Sequence, residues 1–410
     1  MKLNCRFLFS RMVKDRDVLF VAVILLLCFC LIYLPTGFED RYPRGAMQVR
    51  GEIETVDNSM VQQFGLVKSG SQDLIVRVLS GSYKGRQLRA VNHLVGKMEL
   101  DKFFQPGDRV LLVLNVDGDT IVWANAADHY RLHTETALFG LFSIFLIMFA
   151  GRTGARALLS FVFTALMIWK ILVPGFLKSW DPVVLALGVA AVLTAAIIFL
   201  VAGLNRKGFT AFLGAFLGLL LTCVLSMIFS RQFHLHGAVR PFSETLLYSG
   251  FPHLNLTRIF LAGIFIASSS AVMDLAMDIA AAMHEMVKKK PDISITDSMF
   301  SGFAVGRSVI GTMTTTLLLA YSGGYVTMLM VFMAQGVPLI NVFTMNYVAA
   351  EVLNTLVGSF GLLTVAPVTA VTGAFIYAEK TKVVAWKTKA QLSLRFLRSR
   401  LPGAVSRSET

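Results

Sequence analysis

From residue 136 to residue 378 the chain runs almost without acidic side chains. Only Asp181, Glu244, Asp274, Asp278, Glu285, Asp292, Asp297 and Glu351 interrupt it. Soluble domains carry roughly a quarter of their residues charged and spread them over the surface. Here 15% are charged, and they collect in the first 17 residues, in 36–135 and after 379. Such segregation belongs to a chain whose solvent is partly lipid, where a helix crosses on about 20 apolar residues.

Candidate spans follow from that length: Val18–Leu34, Thr136–Ala150, Ala157–Leu177, Pro182–Gly203, Gly208–Phe229, Thr257–Met283, Gly302–Tyr321, Tyr325–Val337 and Tyr347–Ala378. Counting all nine as crossings would put the two basic termini on opposite sides. Lys2, Arg6, Arg11, Lys14 and Arg16 precede the first span, and Lys380, Lys382, Lys387, Lys389, Arg395, Arg398, Arg400 and Arg407 follow the last. Basic residues mark the cytoplasmic side, as do Arg152 with Arg156, Arg206 with Lys207, and Lys288-Lys289-Lys290. Tyr325–Val337 is too short to cross, and Tyr347–Ala378 is interrupted at Gly358-Ser359-Phe360-Gly361 and Pro367. About eight crossings are therefore expected, with re-entrant or in-plane helices between 324 and 358.

The expected organisation is a basic cytoplasmic segment 1–17, a first transmembrane helix 18–34, an extracytoplasmic domain 36–130, a multi-helix membrane domain 136–378 and a basic cytoplasmic tail 380–410. No small-x-small pattern ends the first span, and Leu27 is too large to precede a lipoprotein cleavage site at Cys28. The first span thus reads as a retained anchor. The net charge of +13 sits at the ends of spans, which argues for anionic lipid head groups and against nucleic acid.

Residues 36–130 hold no cysteine, so no disulfide framework shapes them. Gln48–Val56, Leu74–Leu79, Gln87–Val91, Arg109–Val116 and Thr120–Ala124 read as strands. Asp117-Gly118 between the last two is a hairpin signal. About five short strands predict a small all-β barrel of the OB or SH3-like kind. Its basic cluster Lys84, Arg86 and Arg89 reads as a solvated strand face.

Asp274 and Asp278 are the sharpest chemical signal. They lie about 15–20 Å from the nearest basic anchors at 1.5 Å per residue. Spacing i, i+4 puts both on one helix face, with Ser270 one turn before and Glu285 further on. Carboxylates at that depth mark ion or proton paths, or else pair structurally. Arg307 in the next span is the candidate counter-charge, and one Arg does not satisfy two acids.

A weak internal echo joins Arg307-Ser308-Val309-Ile310-Gly311-Thr312 to Asn354-Thr355-Leu356-Val357-Gly358-Ser359. Gly-interrupted segments at matching positions of two repeats often build transporter sites. This makes Gly311, Thr312, Glu351, Asn354, Gly358 and Ser359 candidate path-lining positions at helix breaks. Gly214 and Gly218 form a small-xxx-small pair suited to close helix packing. His234, His236 and His253 have no neighbouring carboxylate and read as a solvated loop; no metal is assigned. There is no phosphate-binding Gly-rich loop, no zinc-protease helix and no nucleophile elbow. The chain is accordingly expected not to be an enzyme and to need no cofactor.

Met273-Asp274-Leu275-Ala276-Met277-Asp278-Ile279-Ala280, Val305-Gly306-Arg307-Ser308-Val309-Ile310-Gly311-Thr312-Met313 and Leu317-Leu318-Leu319-Ala320-Tyr321 resemble the YibE/F-like family of bacterial membrane proteins. Ala349-Ala350-Glu351-Val352-Leu353 and Leu356-Val357-Gly358-Ser359-Phe360-Gly361 fit it too. The resemblance covers roughly 130–380 in the long, domain-bearing YibE type. It implies a multi-pass protein of the cytoplasmic membrane and supplies no substrate. Met277 and Ala280 depart from the aliphatic-plus-Ser pattern around the second Asp, so Asp274 is the firmer of the two. The expected function is secondary transport of an unidentified small ion or solute, with Asp274 and Asp278 binding a cation or protons. The alternative is a membrane scaffold or receptor whose outer domain binds a partner. A second copy or a related short subunit is the expected membrane partner.

Overall fold

The computed structural model describes residues 16–39, 46–117 and 120–378. The basic N-terminus before Arg16, the hairpin residue Gly118 and the tail 380–410 lie outside them. The chain forms two compact units, one over Pro35–Gly151 and one taking the remainder.

In the first unit, β1 (Ala46–Asp57), β3 (Val67–Val78), β4 (Gln87–Val95), β5 (Arg109–Asp117) and β6 (Thr120–His129) alternate inward and outward side chains. That period of two is what a sheet closed around a core requires. Val49, Ile53, Leu74, Val76, Val78, Ala90, Val110, Leu112, Leu114 and Phe104 fill the interior. The ladder runs β1-β5-β6-β4-β3 and closes through β3 back onto β1. Every contact is antiparallel except β4 with β6, where Val91 faces Asn125 in parallel. This is the five-stranded barrel that the sequence predicts, with the strand order of an OB barrel. A short sixth strand, β2 (Val61–Phe64), pairs only with β3. Gly51 is required where β1 crosses the interior, because a side chain there would strike those of Val76 and Leu112.

Among the described residues, seven helices are long and apolar enough to cross a membrane. They are α1 (Arg16–Tyr33), α2 (Leu132–Leu177), α3 (Pro182–Ala202), α4 (Arg206–Gln232), α6 (Leu256–Lys289), the run Ile295–Ala334 and α10 (Asn346–Tyr377). Between them lie the short helices α5 (Ser243–Tyr248) and α9 (Leu339–Thr344). The sequence reading of about eight crossings counted 136–150 and 157–177 separately. The 46-residue run that holds both divides at Gly151, whose φ of 54° and ψ of −124° are not helical, so they are separate helices as that reading has them. Glycine carries this conformation without the Cβ clash other residues meet.

The stretch 324–358 departs from expectation. The run Ile295–Ala334 comprises α7 (Ile295–Ser322), a 3₁₀ turn at Gly323–Tyr325 and α8 (Val326–Ala334). Short helices do occupy 326–344, but α10 already begins at Asn346 and runs on to Tyr377 without interruption at Gly358.

Ends are fixed by ordinary capping. Asp181 Oδ1 accepts from the amides of Val183 at 3.1 Å and Val184 at 3.0 Å, Asn205 caps α4 through Gly208 at 3.0 Å, and Ser294 caps α7 through Asp297 at 3.0 Å. The N-cap carboxylate of Asp181 also meets Arg258 of α6 at 2.5 Å. That bond and the two amides hold its carboxyl below the usual carboxylate range. The helices pack through small residues, as lipid offers them little hydrophobic drive to associate. Gly214 and Gly218 of α4 lie against Thr369 and Val365 of α10, and Gly361 against Thr222. Gly302 and Gly306 of α7 lie against Ala370 and Ala366. The small-xxx-small pair is thus a packing seam within this chain.

Candidate functional site

Helix α6 buries Phe265, Ser268, Val272, Leu275, Ala276, Ile279, Ala280 and Met283 among its neighbours. What it leaves open is one stripe: Gly263, Ala267, Ser270, Asp274, Asp278 and Glu285. Steps of three and four residues keep these positions on one side. From Ala267 to Glu285 the stripe is about 27 Å long at 1.5 Å per residue. The polar line read from the sequence is therefore a continuous lane along the face that α6 does not bury.

Arg307 does not neutralise this lane. No ion pair joins it to Asp274, Asp278 or Glu285 among the described residues. It stands on the open side of α7 with Ser308, Gly311, Thr312, Thr315 and Thr316. The hydroxyls of Thr312, Thr314, Thr315 and Thr316 bond back to carbonyls of their own helix, which satisfies polar groups without a partner helix.

The two echoed segments have different surroundings. Gly311 has nothing within 4 Å of where a side chain would begin. Gly358 is buried, and a side chain there would begin 3.3 Å from Ser268 and 3.6 Å from the Tyr321 hydroxyl. Neither glycine breaks its helix, because α7 and α10 are continuous through them. The expected helix breaks at Gly311 and Gly358 are absent. The reason is that both lie in long apolar helices whose backbone bonds continue past them; a lone glycine costs only about 1 kcal/mol there.

Glu351 and Asn354 belong instead to a cavity of about 680 Å³ at one end of α6. Arg240, Glu244 and Phe242 from the 237–248 segment line it, with Ala267 of α6, Tyr321 and Tyr325, and Tyr347, Glu351 and Asn354 of α10. Arg240 Nη1 meets Glu351 Oε1 at 2.5 Å, and its guanidinium lies 5.4 Å from the Phe260 ring centre. Asn354 Nδ2 donates to Glu351 Oε2 at 3.4 Å, while Asn354 Oδ1 and the Tyr321 hydroxyl have no hydrogen-bond partner. Ala267 lines both cavity and stripe, so the acidic lane begins where the cavity ends. Ser359, one turn beyond Thr355, bonds back to its carbonyl at 2.8 Å and does not reach the cavity lining.

A family model described as YibE/F-like protein matches residues 138–379. The chain belongs to the YibE/F-like family. The N-terminal domain of that family matches 47–128, so barrel and helices are both family features. No curated protein and no solved structure matches the chain.

Sequence reading missed Arg240, Tyr321 and the tyrosines beside them. One signal was available: Arg240 is a basic residue in a segment that the charge bias places outside, where such residues are scarce. His234, His236 and His253 form no metal cluster with acids or cysteines among the described residues; His236 instead meets Asn346 at 3.2 Å. In the barrel, Arg89 of the basic cluster pairs with Asp73 at 2.8 Å on an exposed face, and Arg86 lies over Tyr83 at 5.4 Å.

Proposed function

We propose that this membrane protein is a secondary transporter of the bacterial cytoplasmic membrane, with its N-terminus inside and residues 36–130 outside. The observation that supports it best is the open stripe of α6. Asp274 and Asp278 have no ion-pair partner among the described residues and stand in line with a polar cavity. Lipid does not tolerate carboxylates on a helix surface, so the lane faces an aqueous path. A second copy or a related short subunit completes the outer wall of that path. Asp274 and Asp278 bind the coupling cation or protons, and Ser270 and Glu285 extend the lane towards each end.

The test is thermal stability of the purified chain across pH and a panel of monovalent and divalent cations, beside Asp274→Asn/Asp278→Asn. A ligand that binds only the folded state raises the melting point by mass action. Loss of one cation's or proton's stabilisation in a variant that still folds supports transport. Identical responses would remove the carboxylates from any mechanism.

A receptor reading draws on the barrel, where Phe64 is 68% and Leu66 84% exposed on the β2–β3 hairpin. Exposed apolar tips of this kind suit a partner. Deleting 46–129 separates the readings: harmless to transport, fatal to a receptor.

A further inference from the structure

We infer that the cavity between the 237–248 segment and α10 is a binding site for a small organic cation bearing a protonated amine. The assignment concerns binding and stands whether or not the ligand is then carried along α6.

The lining decides the sign of the ligand. Two carboxylates, Glu244 and Glu351, face one guanidinium, that of Arg240. The guanidinium is already engaged, held by Glu351 at 2.5 Å and lying over Phe260. An anion would have to pull Arg240 away and then sit between two acids. A cation meets the reverse situation, since it competes with Arg240 for Glu351 and finds Glu244 unopposed.

The floor decides the chemical class. Asn354 is 4% exposed, and its Oδ1 is an acceptor without a donor, as is the Tyr321 hydroxyl oxygen. Buried acceptors of this kind call for N–H or O–H donors. Tyr321, Tyr325, Tyr347 and Phe242 supply aromatic walls, and aromatic faces attract ammonium groups. A metal ion would want more oxygen or nitrogen ligands than this, and no group of three or more acids, histidines or cysteines is placed to hold one among the described residues. An ammonium with a short carbon chain uses every feature: Glu351 and Asn354 Oδ1 for its N–H groups, the tyrosines for its charge and its methylenes.

Arg240 then acts as an internal stand-in for the ligand. It comes from a segment that lines the cavity and makes to α10 the contact that an amine would take over. Amine binding should free that segment from Glu351.

The experiment is thermal unfolding of the full chain in detergent, titrated with butylammonium at constant ionic strength. Butan-1-ol is the neutral counterpart, butyrate the anionic one, and sodium chloride the inorganic control. Butylammonium should raise the melting temperature saturably, and the other three should not. Asn354→Leu and Glu351→Gln should each weaken that response, the latter on the order of tenfold or more in Kd. Arg240→Gln should tighten it by removing the competitor, an effect that a merely structural ion pair would not produce. Asp274→Asn/Asp278→Asn should retain it, which separates this site from the acidic lane. Should Glu351→Gln fail to fold, Asn354→Leu and Arg240→Gln decide. Stabilisation by butyrate, an unchanged response in Arg240→Gln and Asn354→Leu, or loss of the response in the double Asp variant would overturn the assignment.

Discussion

Two groups of polar side chains in this protein differ in one respect. In the barrel, Gln72 is fully buried and Asn92 is 2% exposed, and neither has a buried side-chain atom left without a hydrogen-bond partner. Gln72 Nε2 donates to Asn58 Oδ1 and to the Phe104 carbonyl, and its Oε1 accepts from Asn92 Nδ2 at 2.9 Å and from the Phe104 amide at 3.0 Å. Asn92 Nδ2 reaches the Lys102 carbonyl as well, at 2.6 Å. The network ties strands β3 and β4 to the 97–108 connection. In the helical unit, Asn354 Oδ1 and the Tyr321 hydroxyl have no partner, and Asp274 and Asp278 have no opposing charge within ion-pair distance among the described residues. A closed network is accounted for by folding. Polar groups kept without partners where desolvation is costly are what the proposed binding roles rest on.

That contrast can be broken by mutation. The largest effect belongs to Gln72→Leu, which takes the Gln72 partner from both the Phe104 N–H and the Phe104 carbonyl and leaves the Asn92 amide only the Lys102 carbonyl. At about 1–3 kcal/mol for each buried group left unpaired, the barrel should lose about 3 kcal/mol. Urea unfolding, or the protease resistance of 46–129, measures it. Equal stability would mean the network is ornamental. Asn354→Leu should act in the opposite sense, stabilising the helical unit by up to about 1 kcal/mol because it deletes an unmet acceptor. Clear destabilisation there would show that Asn354 is structural, like Asn92.

Asp181→Ala should cost about 1 kcal/mol by removing the α3 cap, with loss of the Arg258 bond adding to it. Its carboxyl is held below the ordinary value in the folded state. This contribution is therefore present above the ordinary carboxylate pKa and fades as pH falls through the depressed one. A melting-temperature series into acid should fall less steeply in Asp181→Ala than in wild type. Glu39 behaves in the same sense: amides and the hydroxyl of the 36–37 turn hold its carboxyl at about 2, and acid should loosen that turn only near that pH. The smallest stability change belongs to Asp274→Asn/Asp278→Asn, within about 0.5 kcal/mol because the stripe is open. Its whole effect should appear in the cation or proton response.

Much of the fold was legible from the chain alone, because bilayer thickness and strand alternation each impose a short-range period. Apolar runs of the right length located the helices. Apolar and β-branched runs in 48–56, 74–79, 87–91, 109–116 and 120–124, with the turn signals between them, located the barrel, and i, i+4 spacing put Asp274 and Asp278 on one face with Ser270. The Asp117-Gly118 signal was read correctly as far as β5 and β6 form an antiparallel pair.

Tertiary structure alone decided the rest. Whether Gly311 or Gly358 breaks a helix depends on what the surrounding residues pack against, and both helices run through. Whether Arg307 answers Asp274 depends on the rotation of α7 against α6, which Gly302 and Gly306 set by seating on Ala370 and Ala366. Arg240 lies 111 residues from Glu351 in sequence, beyond the reach of any local pattern. Local periodicity dictates which face of an element is polar, since that follows from backbone geometry. Which polar faces meet is decided by side-chain packing between distant elements, and the cavity exists only at that level.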